Sequence, residues 1–290
     1  MDVIESAPKL RAVLDDARAA GRSVGFVPTM GAFHDGHLSL MRRARDERDV
    51  VLVSIFVNPL QFDDAADLDA YPRYGERDRR LAEHADIDVL FTPGGEEVYP
   101  RGAPQVTVDP GPLGARLEGA SRPGHFRGVA TVVAKLCNMA GPCVAYFGEK
   151  DAQQLAVVRR MVADLDLPVE VVGCPTIREP DGLAMSSRNV RLSDGERAAA
   201  QCLSRALIIA VHLVGEGERE ANALKAEMAK RIGAERLARL EYVAVVDELT
   251  FDEVQAIERP ARALVAARFG DTRLIDNMAL LPATEEGSAP

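Results

Sequence analysis

Five short apolar runs, residues 24–27, 50–57, 89–91, 144–147 and 169–173, alternate with segments of helical pattern through roughly the first 175 residues. The run 50–57 is nearly all apolar, as a strand covered on both faces requires. The gap between it and the run at 24–27 has room for one crossover helix, expected at 39–48. Further helices are expected at 76–84, 128–139 and 151–165, each ahead of the next apolar run. A Pro/Gly-rich stretch at 93–114 interrupts the alternation, with a short strand expected at 105–108. The pattern predicts an α/β fold, a doubly wound and mainly parallel sheet.

The character changes after Cys174. Pro175, Pro180 and Gly182 mark a linker, and the segments 194–213 and 221–240 read as helices. Residues 242–246, 264–269 and 273–275 follow as candidate strands. A second, smaller α+β domain hinged near Ile177 is expected, dividing the chain into 1–176 and 177–290, with 284–290 a polar tail without a packing role.

Composition narrows the function classes. A chain of 290 residues with 28% charged and 47% hydrophobic residues has the make-up of a soluble globular protein. A net charge of −10 argues against a general nucleic-acid binder, which usually shows a basic face. Cys137, Cys143, Cys174 and Cys202 form no C-x-x-C pair, so buried free thiols are expected rather than zinc ligands. Charges interrupt residues 1–11, unlike a signal peptide, and no stretch reads as ~20 continuous apolar residues. A cytoplasmic protein with neither membrane nor nucleic-acid partner is the expectation.

The segment Pro28-Thr29-Met30-Gly31-Ala32-Phe33-His34-Asp35-Gly36-His37-Leu38 joins the first of these strands to a helix. Such a junction is where open α/β sheets bind ligands, and a helix N-terminus favours phosphate. His34 and His37, three apart across Gly36, add donors that can follow developing charge on a nucleoside triphosphate. The alternative is a pair of turn histidines; a zinc site lacks a third ligand nearby. Gly148-Glu149-Lys150-Asp151 forms a second strand-to-helix junction, ahead of Gln153 and Gln154. Here Lys150 can neutralise phosphate and Asp151 can accept from ribose hydroxyls. Met185-Ser186-Ser187-Arg188 is either a loop for phosphate or carboxylate oxygens or an ordinary capping loop before the next helix. Arg122-Pro123-Gly124-His125-Phe126-Arg127 is either a basic binding loop or an exposed turn. Asn58 and Gln61 follow the strand ending at Val57, where a neutral amide suits a small polar substrate.

Taken in order, these motifs resemble the pantothenate synthetase family, nucleotidyltransferases with a His-x-Gly-His signature. The likeness includes Phe56-Val57-Asn58-Pro59-Leu60-Gln61-Phe62 and Tyr71-Pro72-Arg73, is dense from 24 to 192, and returns at Thr272-Arg273-Leu274-Ile275-Asp276-Asn277-Met278. The resemblance implies ATP-dependent condensation of pantoate with β-alanine to pantothenate, AMP and pyrophosphate, through a pantoyl-adenylate. It implies a Rossmann-like N-terminal domain, a C-terminal lid, a homodimer, and Mg²⁺ accompanying ATP. Carried over by position, His34, His37, Lys150, Ser186 and Ser187 hold phosphates, and Arg188 joins them or binds β-alanine. Pro28, Met30, Gly148, Asp151, Ile177 and Met185 complete the ATP site. Gln61 and Gln154 hold pantoate, with Met30 and Phe147 as its apolar wall, and Arg122 faces the β-alanine side. Family members place an acidic pair for the metal after Tyr-Pro-Arg; here Arg77 takes one position, leaving Asp78 as the expected ligand. The competing readings are another adenylyl- or cytidylyltransferase of the superfamily, and a nucleotide-binding regulatory protein without turnover.

Overall fold

The computed structural model describes residues 1–62, 68, 69 and 71–282, so the expected polar tail at 284–290 lies outside the described residues. The chain divides into two compact units, Met1–Ile177 and Arg178–Pro290.

The first unit is built on six strands, β1 (Asp2–Ile4), β2 (Val24–Thr29), β3 (Val50–Ile55), β4 (Val89–Phe91), β5 (Cys143–Gly148) and β6 (Val169–Cys174). Their order is β1-β4-β3-β2-β5-β6, and every pairing is parallel. Successive side chains alternate between two cores. Phe26, Leu52, Phe91 and Phe147 pack with the helices Ala7–Ala19, His125–Ala140 and Ala152–Asp164. Val27, Val51, Val53 and Tyr146 pack with the helices Asp35–Glu47 and Gly75–His84. Both sheet faces are therefore apolar, which accounts for the unbroken hydrophobic runs in the sequence.

Two expectations are corrected here, and one strand was not expected at all. Residues 105–108 form no strand: Val106 is 87% exposed, and the Val108 N–H donates to the Thr131 hydroxyl instead of a neighbouring strand. Alternating Gln-Val-Thr-Val has strand periodicity, but a strand also needs a partner edge. The first crossover helix starts at Asp35 rather than 39, because the histidine motif itself supplies the cap. Strand β1 has no counterpart among the expected strands; three residues with one buried side chain carry almost no pattern.

The second unit has an antiparallel sheet in the order β7 (Ala238–Asp247), β8 (Ala261–Phe269) and β9 (Thr272–Leu280). The helices Asp194–Gly215 and Ala221–Gly233 pack in its core. Ser193 caps the longer helix, accepting from the Glu196 N–H while the Glu196 carboxylate takes the Ser193 N–H. That helix is long and apolar enough to span a membrane by length and composition, contrary to the sequence reading. Leu203, Ala206, Leu207 and Ala210 are buried in the core, which explains the apolar composition without a bilayer.

Candidate active site

Strands β2 and β5 are neighbours, with Gly25 opposite Val144 and Phe26 opposite Ala145. From β2 the chain winds toward β3 and β4; from β5 it winds the other way, to β6. The two junctions read from the sequence thus leave the sheet side by side at its switch point, where open α/β sheets hold ligands.

The β2 junction is fixed residue by residue. The Thr29 hydroxyl donates to the Ser54 carbonyl at 2.6 Å and accepts from the Gly31 N–H at 3.1 Å. Gly31 and Ala32 then take positive φ, 81° and 54°. The next two N–H groups, of Ala32 and Phe33, each donate to an oxygen of Asp78 at 2.8 Å. Phe33 is fully buried and anchors the loop in the core.

His34 caps the helix Asp35–Glu47. Its Nδ1 accepts the Gly36 N–H at 3.1 Å, and His37 Nδ1 accepts the His34 N–H at 3.4 Å. A backbone N–H can only donate, so both rings accept at Nδ1 and, when neutral, carry their proton on Nε2. Burial, then the charge of His34, pushes His37 down to about 3, so this imidazole is neutral at ordinary pH. The two rings lie 4.2 Å apart between centroids. They form a pair of Nε2–H donors at a helix N-terminus.

The β5 junction lies within the electrostatic reach of His37, which feels the charges of both Lys150 and Asp151. Lys150 pairs with Asp151 at 3.5 Å in the turn Glu149–Asp151. Phe147 is buried, while Gly148, Pro28 and Met30 are partly exposed at the same sheet edge. The two adjacent glutamines separate. Gln153 is buried, accepting the Glu118 N–H at 3.0 Å and donating to the carbonyls of Leu113 and Arg116 at 2.9 and 2.7 Å. It holds the short helices Pro112–Ala115 and Glu118–Ser121 in place. Gln154 is partly exposed, and its side chain makes no hydrogen bond among the described residues.

Gln61 sits at the end of the turn Pro59–Gln61, 8% exposed and held from both sides. Its carbonyl accepts from His125 Nδ1 at 2.8 Å and from Arg122 at 3.2 Å. Burial, then the Arg122 charge, pushes His125 down to about 4, so the ring is neutral and keeps its proton on Nδ1, the opposite tautomer to His34 and His37. Arg122 therefore braces Gln61, a role its sequence motif did not reveal. On the other side Asn58 Nδ2 donates to Gln61 Oε1 at 3.1 Å and to the Gly128 carbonyl at 3.1 Å. Asn58 Oδ1 accepts the Leu60 N–H at 3.3 Å and the Tyr99 hydroxyl at 2.8 Å. The sequence marked Asn58 only by its place after a strand, and Tyr99 not at all.

In the second unit, Arg178 clasps Asp276 through two bonds of 2.7 and 2.9 Å, tying the start of this unit to β9. Asn189 donates to Glu179 at 2.7 Å and to the Ala184 carbonyl at 3.1 Å, closing a loop that contains Met185, Ser186, Ser187 and Arg188. Ser186 accepts the Arg188 N–H at 3.2 Å. Because Ser193 is the cap of the following helix, this loop is not the capping loop that the sequence allowed. Ile177 is the last residue of the first unit.

The expected metal site does not fit. Both carboxylate oxygens of Asp78 are bound to backbone N–H groups, and the side chain is 1% exposed. Among the described residues no cluster of three or more His, Cys, Asp or Glu could hold a metal ion. All four cysteines are free, and burial pushes the Cys137, Cys143 and Cys202 thiols up to about 12 and Cys174 up to about 11.

A family model described as pantoate-beta-alanine ligase matches residues 2–279. The chain belongs to the pantoate–β-alanine ligase family. Pantothenate synthetase of Heliobacterium modesticaldum is 54% identical over 278 residues, covering 96% of this chain and 99% of the relative. That of Thermotoga petrophila is 51% identical over 280 residues, 97% and 100% of the two chains. Among solved structures, a pantothenate synthetase of Thermus thermophilus superposes with a TM-score of 0.90 at 49% identity, covering 97% of this chain and 100% of that one. The pantoate-beta-alanine ligase of Francisella tularensis, complexed with βγ-ATP and β-alanine, gives 0.77 at 33% identity, covering 96% and 97%. The α/β sheet with its small antiparallel C-terminal sheet is thus the ligase architecture, and the family is one of ATP-dependent ligases.

Proposed function

We propose that this chain condenses pantoate with β-alanine, using ATP and releasing AMP and pyrophosphate, through a pantoyl-adenylate. The observation that supports the chemistry is the pair of imidazoles His34 and His37, each accepting a backbone N–H at Nδ1, with the His37 ring held neutral by burial. In the first step a pantoate carboxylate oxygen attacks the α-phosphorus and pyrophosphate leaves. In the second, the β-alanine amine attacks the acyl carbon and AMP leaves. Neither step needs a protein nucleophile; both need charge on phosphate oxygens stabilised by fixed donors.

His34, His37 and Lys150 are suited to those oxygens, since a helix N-terminus, two N–H donors and an ammonium converge on one sheet edge. The helix terminus contributes about 0.3–1 kcal/mol when exposed. A preorganised donor to a transition state is worth about 3–4 kcal/mol, so the side chains outweigh the dipole. Gln61 and Gln154 are assigned to pantoate, Met30 and Phe147 to its methyl groups, and Asp151, Gly148, Pro28 and Ile177 to the nucleoside. Met185, Ser186, Ser187 and Arg188 belong to a lid whose closure keeps water from the adenylate. A homodimeric state and Mg²⁺ brought in on the ATP phosphates complete the reading.

The test is pyrophosphate release from ATP with pantoate and β-alanine omitted singly and together. Pantothenate and AMP formed only with both acceptors present supports the ligase reading. ATP binding without turnover under the same conditions overturns it.

A further inference from the structure

The geometry points to Asp78 as a positioning residue that clamps the histidine loop, not as a metal ligand; this rests on the ligase reading for its consequence in catalysis. The loop after β2 turns through two successive left-handed residues, Gly31 and Ala32. Such a turn aims consecutive N–H groups at one point and makes a concavity for an anion. Asp78 fills it: Oδ2 takes the Ala32 N–H and Oδ1 the Phe33 N–H, both at 2.8 Å.

Three further observations agree. The Asp78 carboxylate is buried, and no Lys or Arg pairs with it among the described residues. The two N–H groups are thus its hydrogen-bonding partners, and a charge-assisted bond to each is what makes burial tolerable. A Cβ on Gly31 would lie 3.0 Å from Asp78 Oδ2 and 3.0 Å from Ile55 Cγ2, so the carboxylate is packed against the loop. Ala32, a residue with a Cβ, is held at φ 54°, a conformation that persists only where its surroundings impose it. The residue after Phe33 is the cap His34, whose N–H in turn sets the His37 ring. Asp78 therefore fixes the direction of both imidazoles without touching substrate. Its helix, Gly75–His84, packs through Ala82 in the same core that holds Phe33.

The two roles for Asp78 separate in experiment. Asp78→Asn keeps the shape but turns one acceptor into a donor facing an N–H. Asp78→Glu keeps the charge, which a cation would tolerate, but moves it by one methylene. With a clamp, both variants lose kcat by ~10- to 100-fold, leave the half-saturating Mg²⁺ concentration within about twofold of wild type, and speed amide exchange at Ala32 and Phe33 at least ~10-fold. A raised Mg²⁺ requirement that Asp78→Glu largely escapes, with exchange unchanged, overturns the clamp in favour of ligation. Full kcat with fast loop exchange also overturns it, because the loop then does not set the reacting geometry.

A measurement on the wild-type protein covers variants that fail to fold. Mn²⁺ added to the nucleotide-free chain is expected to leave the amide resonances of Ala32 and Phe33 unbroadened; selective broadening there overturns the proposal. Wild-type pyrophosphate release, run alongside, reports separately on the ligase reading.

Discussion

Asn58 hands Gln61 a hydrogen bond of 3.1 Å whose direction the surrounding backbone determines. The Leu60 N–H can only donate, so the Asn58 atom facing it is the oxygen; the Gly128 carbonyl can only accept, so the other is the nitrogen. Asn58 Nδ2 must then donate to Gln61 Oε1, so the Gln61 side chain keeps its NH2 as the remaining donor. A donor is what a carboxylate or hydroxyl oxygen of pantoate requires.

Tyr99→Phe tests this relay at its far end. The Tyr99 hydroxyl donates to Asn58 Oδ1 at 2.8 Å, and burial pushes its pKa up, so it stays a neutral donor. Losing one such bond costs about 0.5–1.5 kcal/mol of stability. The expected kinetic result is a several-fold rise in KM for pantoate with KM for ATP unchanged. Equal shifts in both constants would show that the relay does not orient Gln61.

Gly128→Ala strikes the same assembly through packing. A Cβ there would sit 2.3 Å from the Leu60 carbonyl oxygen and 2.8 Å from the Gln61 nitrogen, against backbone that cannot rotate away. The helix His125–Ala140 and the turn Pro59–Gln61 would have to part. Chemical denaturation should show a loss of about 1–3 kcal/mol, the usual cost of overpacking. Steady-state kinetics should show pantoate binding weakened more than ATP binding.

His37→Ala removes one donor and leaves the helix cap on His34 Nδ1 in place. The expected fall in kcat is ~10²-fold or more, with the far-ultraviolet circular dichroism spectrum unchanged. Turnover near that of the wild type would remove His37 from the catalytic group.

Much of this was legible in the sequence, and the gaps have physical causes. Buried parallel strands advertise themselves as unbroken apolar runs, so β2, β3, β5 and β6 could be read directly; β1, with one buried side chain, could not. The histidine motif located the site, but histidine is an unusual cap, so the helix start at Asp35 was hidden behind what reads as a turn. Gln153 and Gln154 are equivalent as letters; only the helix phase decides which is buried. The family resemblance alone made Asp78 a metal ligand; nothing in the sequence pattern signals the N–H groups, 45 and 46 positions away, that it accepts from.

Closure of the second unit's loop is testable by amide exchange. Asn189 and Glu179 fix the ends of the loop, while Met185, Ser186, Ser187 and Arg188 are all partly exposed. Saturating ATP and pantoate together are expected to slow exchange across residues 182–189 by tenfold or more, in order of magnitude. Exchange that stays the same with both substrates bound would count against a lid.

Acid should weaken the fold through its buried neutral histidines. Unfolded, each imidazole takes a proton near pH 6.5; folded, His125 does so only at about 4 and His37 at about 3. Across that window the unfolded chain binds more protons, so stability is complete above about pH 6.5 and falls as pH drops toward 4. Near pH 5, about 1.5 units below the unfolded value, each group can withdraw at most about 2 kcal/mol. The His37 share is smaller because its ring is partly open to solvent. His125→Asn keeps an N–H donor for the Gln61 carbonyl but cannot titrate. Urea unfolding near pH 7 and near pH 5 should show the variant losing about 1–2 kcal/mol less than wild type over that interval. An identical loss in both proteins would mean that the His125 proton is not the one the fold excludes.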